Sequence, residues 1–249
     1  MGPVKRAVTS PQDDAEEADS ADATMADRVA RQLEDRIFGE LDVGALLPSE
    51  SDLAQSMGVS RLTVREATRK LQARGLIRIS AGRRPVVAAP TGSLVGDFFR
   101  STLRRDPRAV LDLLDVRMAL EVHIAAAAAA QPSRASIAAL QAAIDAMSAT
   151  ADPTLFHEAD IQFHESLAAA TGNRLMAVLL EELSEPLRAS RMRSFAGHLE
   201  RGGTAADVVE QHVAILACVR VRDSAGAAAA MRHHLQETET DLLAALRTS

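Results

Sequence analysis

Pro48-Ser49-Glu50-Ser51-Asp52-Leu53-Ala54-Gln55-Ser56-Met57-Gly58-Val59-Ser60-Arg61-Leu62-Thr63-Val64-Arg65 contains two helix starts separated by a tight turn. Ser49 is placed to cap the first helix, and Asp52, three residues on, to reach back to it. Met57-Gly58-Val59 turns the chain after a short helix, and Ser60 caps a second one running to about Ala73, where Gly75 stops it. Upstream, residues 25–39 have helical spacing, broken by Gly39 and Gly44. Downstream, Leu76-Ile77-Arg78-Ile79 and Pro85-Val86-Val87-Ala88 predict two short strands around Ala81-Gly82-Arg83-Arg84. A helix, a short helix, a turn, a second helix and a hairpin make a winged helix-turn-helix.

From Pro90 onward the pattern is helical nearly to the end. Asp106-Pro107 and Asp152-Pro153 are predicted pairs of N-cap and first helical residue. Thr171-Gly172-Asn173 ends one helix and caps the next, and Gly202-Gly203 marks another break. The run Ala125 to Ala130 predicts closely packed helices rather than low complexity. Of 249 residues, 47% are hydrophobic and none is Trp or Tyr, which favours helix over sheet. The fold class is therefore mainly α, an N-terminal winged helix-turn-helix followed by an all-helical bundle. The single Cys218 excludes an internal disulfide and a multi-Cys metal site, and suits a reducing cytoplasm. No apolar run approaches the ~18 residues of a membrane span. Met1 to Thr24 lacks the apolar core of a signal peptide and predicts a flexible, acidic tail. The expected location is cytoplasmic, with no membrane partner.

The net charge of −6 hides a local excess of the opposite sign. From Ser60 to Arg84 the chain carries Arg61, Arg65, Arg69, Lys70, Arg74, Arg78, Arg83 and Arg84 against Glu66 alone. A local patch, not the total, sets attraction to phosphate. In a helix-turn-helix the second helix enters the major groove with its N-terminal residues at base edges. Arg61 and Arg65 share one face of that helix, and arginine to guanine is the commonest specific contact. Gly82-Arg83-Arg84 suits a wing tip that reaches the DNA backbone or minor groove. The expected partner is double-stranded operator DNA.

In the helical half the histidines carry the information. On the helix after Asp152-Pro153, with Asp160 as the zero of a wheel, His164 falls at about 40°, Phe156 at about −40° and Leu167 at about −20°. Carboxylate and imidazole therefore enter the apolar face together, and a buried carboxylate requires a cation or strong donors. His212 lies among Val208, Val209, Ile215, Leu216 and Val219 on the next apolar face. On the last helix His234 sits at the edge of the face made by Ala228, Met231, Leu235 and Leu242, while His233 points to water. Asp160, His164, His212 and His234 are thus a candidate divalent-metal set inside a bundle, with His157 in reserve. His123, His198 and His233 read as surface residues.

Leu47-Pro48-Ser49-Glu50, Leu53-Ala54, Gly58-Val59-Ser60-Arg61-x-Thr63-Val64-Arg65-Glu66-Ala67, Leu71, Gly75-Leu76-Ile77 and Gly82-Arg83 closely resemble the GntR family of regulators. By position the resemblance implies DNA contacts at Ser51, Ser60, Arg61, Leu62, Thr63, Arg65 and Gly82. Two positions depart from the family pattern: Ser51 replaces a frequent Arg, and Leu62 replaces a small hydroxyl residue that often binds phosphate. Asp115-Val116-Arg117-x3-Glu121, Asp160-x2-Phe163-His164, Thr171-Gly172-Asn173, His212-x2-Ile215-Leu216 and Ala229-x-Met231-x2-His234 resemble the FCD ligand-binding domain of the family's FadR-type branch. That resemblance implies a homodimer of helical bundles. It further implies a divalent ion, zinc first and nickel or manganese as alternatives, on the same Asp160, His164, His212 and His234.

The implied effector is a small carboxylate or hydroxycarboxylate, since a divalent ion with one Asp and neutral histidines keeps positive charge for it. Arg117 is the first candidate to orient that acid, with a salt bridge to Glu121 as its alternative role; Arg188, Arg191 and Arg193 stand behind it. The expected organisation is a tail at 1–24, the DNA-binding domain at 25–90, a linker or helix at 91–105 and the effector-binding domain at 106–245. The whole reads as a ligand-responsive repressor, not an enzyme. A metalloenzyme lacks any general base of the HExxH kind here and has no use for the basic helix. A metal-free regulator with a larger effector, such as an acyl thioester, is the other alternative.

Overall fold

The computed structural model describes residues 24–106 and 108–248. The expected flexible tail, apart from Thr24, and Pro107 lie outside the described residues. The chain divides into two compact units between Thr91 and Gly92.

In the first unit, α1 (Met25–Glu40), α2 (Glu50–Met57) and α3 (Arg61–Ala73) precede the strands β1 (Ile77–Arg78) and β2 (Val86–Val87). Thr24, Ser49 and Ser60 cap the three helices through their side chains. Gly58 adopts φ 65°, the left-handed conformation that lets α2 stop and α3 start at once. The strands pair antiparallel, Ile77 opposite Val87, and Leu46 adds a bridge to Val86. Val29, Leu33, Leu53, Val64, Leu71 and Ile77 close the core. Each contributes on the order of 1.5–3 kcal/mol by leaving water.

The second unit is helical throughout its described residues: α4 (Ser93–Arg105), α5 (Ala109–Ala130), α6 (Arg134–Ser148), α7 (Pro153–Ala170), α8 (Arg174–Glu200), α9 (Ala205–Arg220) and α10 (Ser224–Thr248). Asp152 caps α7, accepting from the Thr154 N–H at 2.8 Å, with Pro153 leading the helix. Asp106 does not play the expected N-cap role. Its N–H closes α4 onto Thr102 O, its carboxylate accepts from the Arg108 N–H, and α5 starts only at Ala109. The short side chain satisfies the nearest free amide, and the helix begins after it.

Ile124, Ala125, Ala128 and Ala129 of α5 are fully buried together with Phe163, Leu140, Ile215 and Met231. At Gly197 an added Cβ would stand 2.3 Å from the Asp241 carbonyl oxygen, so only glycine allows α8 this close to α10. No helix among the described residues is long and apolar enough to cross a membrane.

Candidate functional site

α3 buries Val64, Ala67, Thr68 and Leu71 and turns Arg61, Leu62, Arg65, Glu66 and Arg69 outward. The Ser60 hydroxyl accepts from the Thr63 N–H (3.0 Å) and lies 2.8 Å from the Thr63 hydroxyl, so both also hold the helix start. Ser51 is exposed in the first turn of α2, and Gly82 and Arg83 are exposed in the hairpin. Arg65 is not free: its Nη2 donates to Glu50 Oε2 at 2.9 Å and its Nε to the same oxygen at 3.2 Å. That bond holds the Glu50 carboxyl below its ordinary pKa and raises the Arg65 guanidinium.

Arg84 differs from a simple wing-tip reading. It is exposed, yet its Nε donates to Leu47 O at 2.7 Å and ties the hairpin to the segment before α2. Lys70 and Arg74 bind Asp27 and Glu34 of α1, so part of the basic excess clamps α3 to its own unit. Arg61, Arg69, Arg78 and Arg83 make no ion pair among the described residues.

In the helical unit, α7 carries Asp160 and His164, α9 His212 and α10 His234. All four are buried, and one ligand-capable atom from each lies within 4.8 Å of the others. His212 Nδ1 donates to the Val208 carbonyl (2.8 Å) and His234 Nδ1 to Gln211 Oε1 (2.7 Å). These bonds fix the tautomer and leave each Nε2 with its lone pair. Asp160 Oδ1 stands 3.0 Å from His212 Nε2 and 3.6 Å from His164 Nε2. Neither nitrogen has an aligned hydrogen-bond partner, although both are buried. Buried lone pairs converging on a carboxylate oxygen are the donor set of a divalent transition metal, and the residues fit one.

Charged side chains surround the cluster. Arg191 of α8 binds Asp160 Oδ2, so the two oxygens of Asp160 face opposite neighbours. Burial works to raise the Asp160 carboxyl, but the Arg191 charge and the imidazole contacts hold it well below its ordinary range. Glu121 Oε2 lies 2.5 Å from His164 Nδ1, and Glu121 also accepts from Arg117. Burial again opposes ionisation of Glu121, and the Arg117 charge again outweighs it. Burial, together with the neighbouring imidazoles, holds His234 well below its ordinary value, so it is neutral near pH 7.

A cavity of about 460 Å³, counted with its open mouth, adjoins the cluster and is lined by Arg117, His157, Asp160, Arg191, Ser194 and His234 among others. Arg117 both pairs with Glu121 and lines the cavity. Arg191 is the stronger polar feature there, for its Nε and Nη2 are buried without a partner. Arg188 binds Glu185 at the surface and Arg193 is exposed, so neither lines the cavity. His157 packs among Phe156 and Phe195 outside the four-residue set. His198, expected at the surface, is instead held between Asp241 (3.0 Å) and Asp207 (3.5 Å), because α9 and α10 close over it. Glu50 and Gln211 were not singled out from sequence; Gln211 is signalled only by standing next to His212.

A winged helix-turn-helix with outward arginines, joined in one chain to a helical unit holding a buried polar cluster beside a cavity, defines a ligand-responsive DNA-binding transcription regulator. Residues 25–87 match the family described as bacterial regulatory proteins, gntR family, and residues 112–237 match the FCD domain. The HTH-type transcriptional regulator LutR of Bacillus subtilis (strain 168) is 32% identical over 203 residues, covering 81% of this chain and 93% of LutR. The HTH-type transcriptional repressor NanR of Citrobacter rodentium is 30% identical, covering 85% and 82%. The solved structure titled Streptococcus agalactiae GntR superposes with a TM-score of 0.68 at 25% identity, covering 86% of this chain and 99% of that one. The chain belongs to the GntR family of bacterial transcription regulators and carries an FCD domain. Its relatives are regulators rather than enzymes.

Proposed function

We propose that this regulator is a homodimeric repressor that holds a divalent ion, zinc first, on Asp160, His164, His212 and His234, and answers a small carboxylate or hydroxycarboxylate. The carrying observation is the pair of buried, unpartnered Nε2 atoms of His164 and His212 beside Asp160 Oδ1. When bound, the ion supplies positive charge and open positions for an acid. The chain's own contribution is orientation. Val208 O, Gln211 and Glu121 aim the imidazoles, and Arg191 steadies Asp160 while offering its unpartnered nitrogens to a second oxyanion.

A cavity lined by Arg117, Asp160, Arg191 and His234 suits a small acid better than an acyl thioester, which needs a longer apolar channel. A relative from Escherichia coli (strain K12), 26% identical over 230 residues, is named for the L-lactate dehydrogenase operon, and the name NanR includes "repressor". The second name favours repression, and the first a small hydroxy acid. Dimerisation follows from reach, because one recognition helix reads only a few base pairs and paired half-sites require two.

For the acid to act, it must bind one state of the dimer better than the other. Metal analysis of the purified chain, with mass spectrometry of released small molecules and DNA binding with and without a chelator, tests the reading. One ion per chain and effector release that disappears on chelation support it. Full effector response in the metal-free chain overturns the metal's part in it.

A further inference from the structure

We propose that Leu62 reads the 5-methyl group of a thymine in each operator half-site, an inference that rests on α3 being the DNA-reading helix. Leu62 is 63% exposed in the first turn of α3, diametrically opposite the seam formed by Val64, Ala67, Thr68 and Leu71. The core of its unit closes without it. Arg61 precedes it and Arg65 stands three residues on, both outward, so its surroundings are those of a surface that meets DNA.

Single exposed leucines are ordinary on protein surfaces. This one occupies the place where a recognition helix meets base edges. A leucine side chain neither donates nor accepts a hydrogen bond, and so gains nothing from a phosphate or from the polar edge of a base. The major-groove face of the base pairs offers one apolar group, the thymine methyl. The Glu50–Arg65 bond adds to this by holding the adjacent guanidinium to one side of the outward face.

The test uses the full chain and a site recovered by enriching randomised duplexes for binding. Each thymine of that site is then replaced singly by deoxyuridine, which removes the methyl and nothing else. Affinity is read by fluorescence anisotropy at fixed salt for the wild-type chain and for Leu62→Ala. One thymine per half-site is expected to matter, its methyl worth about fourfold, and about 15-fold when both half-sites are changed. Leu62→Ala is expected to bind the thymine and deoxyuridine sites within about twofold of each other. Wild-type indifference to deoxyuridine at every position overturns the proposal and leaves the DNA-reading role of α3 standing. So does a Leu62→Ala chain that keeps the wild-type ratio. An altered self-association of Leu62→Ala with an unchanged ratio likewise overturns it, and assigns the side chain to a protein contact. A chain that enriches no duplex fails the reading of α3 and this proposal together.

Discussion

The two units place their charges in opposite ways. Among the described residues of the DNA-reading unit, Thr68 is the one buried polar side chain, and the arginines stand outside an apolar core. The helical unit buries Arg117, Glu121, Asp160, His164, Arg191, His212 and His234 at its centre. Exposed charges cost little to keep and are screened by salt, so they suit a reversible contact with a polyanion. Buried charges are costly unless mutually paired, and removing one member strands the others. The first unit is thus expected to lose function without losing stability, and the second to lose both together.

Asp160→Ala gives the largest expected effect. It removes a candidate metal ligand and leaves the Arg191 guanidinium buried without its partner, so metal content should vanish and stability fall by about 3–5 kcal/mol. Metal analysis and denaturant unfolding measure both; a variant as stable as wild type would break the comparison. Next, Arg61→Ala or Arg65→Ala should each lower specific operator affinity by about 5- to 150-fold, with the melting temperature unmoved. Anisotropy titrations beside thermal melts check this. A drop in melting temperature would mean that Glu50–Arg65 is structural.

Acid should separate the units in chelated protein. His234, whose pKa burial sets well below the ordinary 6.5, contributes stability that is full above that pH and declines as the pH falls. Asp160 and Glu121, held below 3.8 and 4.5, add losses as the pH drops past those values. Hydrogen exchange is therefore expected to rise in α7–α10 on acidification before it rises in α1–α3. The smallest effect belongs to the hairpin. Arg83→Ala should reduce the salt slope of DNA binding by about one, and Arg84→Ala by less, since its Nε serves Leu47 O.

What could be read from sequence was local. Capping hydroxyls, the Gly58 turn and the phase of α7, α9 and α10 are set within one or two helical turns, so the inward imidazoles were legible. The partners that aim them were not. Arg191 lies 31 residues from Asp160, and Glu50 lies 15 from Arg65. A helical wheel says which face a residue occupies and nothing about which helix arrives opposite. His198 shows the same limit, for it reads as a surface residue until α9 and α10 cover it. Asp106 failed for a different reason, since a short acidic side chain serves whichever amide is nearest, whether or not a helix starts there.

The alanine run of α5 has a consequence for how this protein can change. Ala125, Ala128 and Ala129 show no exposed surface and stand flush against the packed core. Each methyl is the full extent of the space available, so a larger replacement displaces a neighbouring helix and a smaller one opens a void. The most monotonous letters in the chain are therefore among its least interchangeable. In a saturation library, tolerance is expected to dip at Ala125, Ala128 and Ala129 by side-chain size alone, while the visibly informative arginines of α3 accept many replacements at no cost to folding.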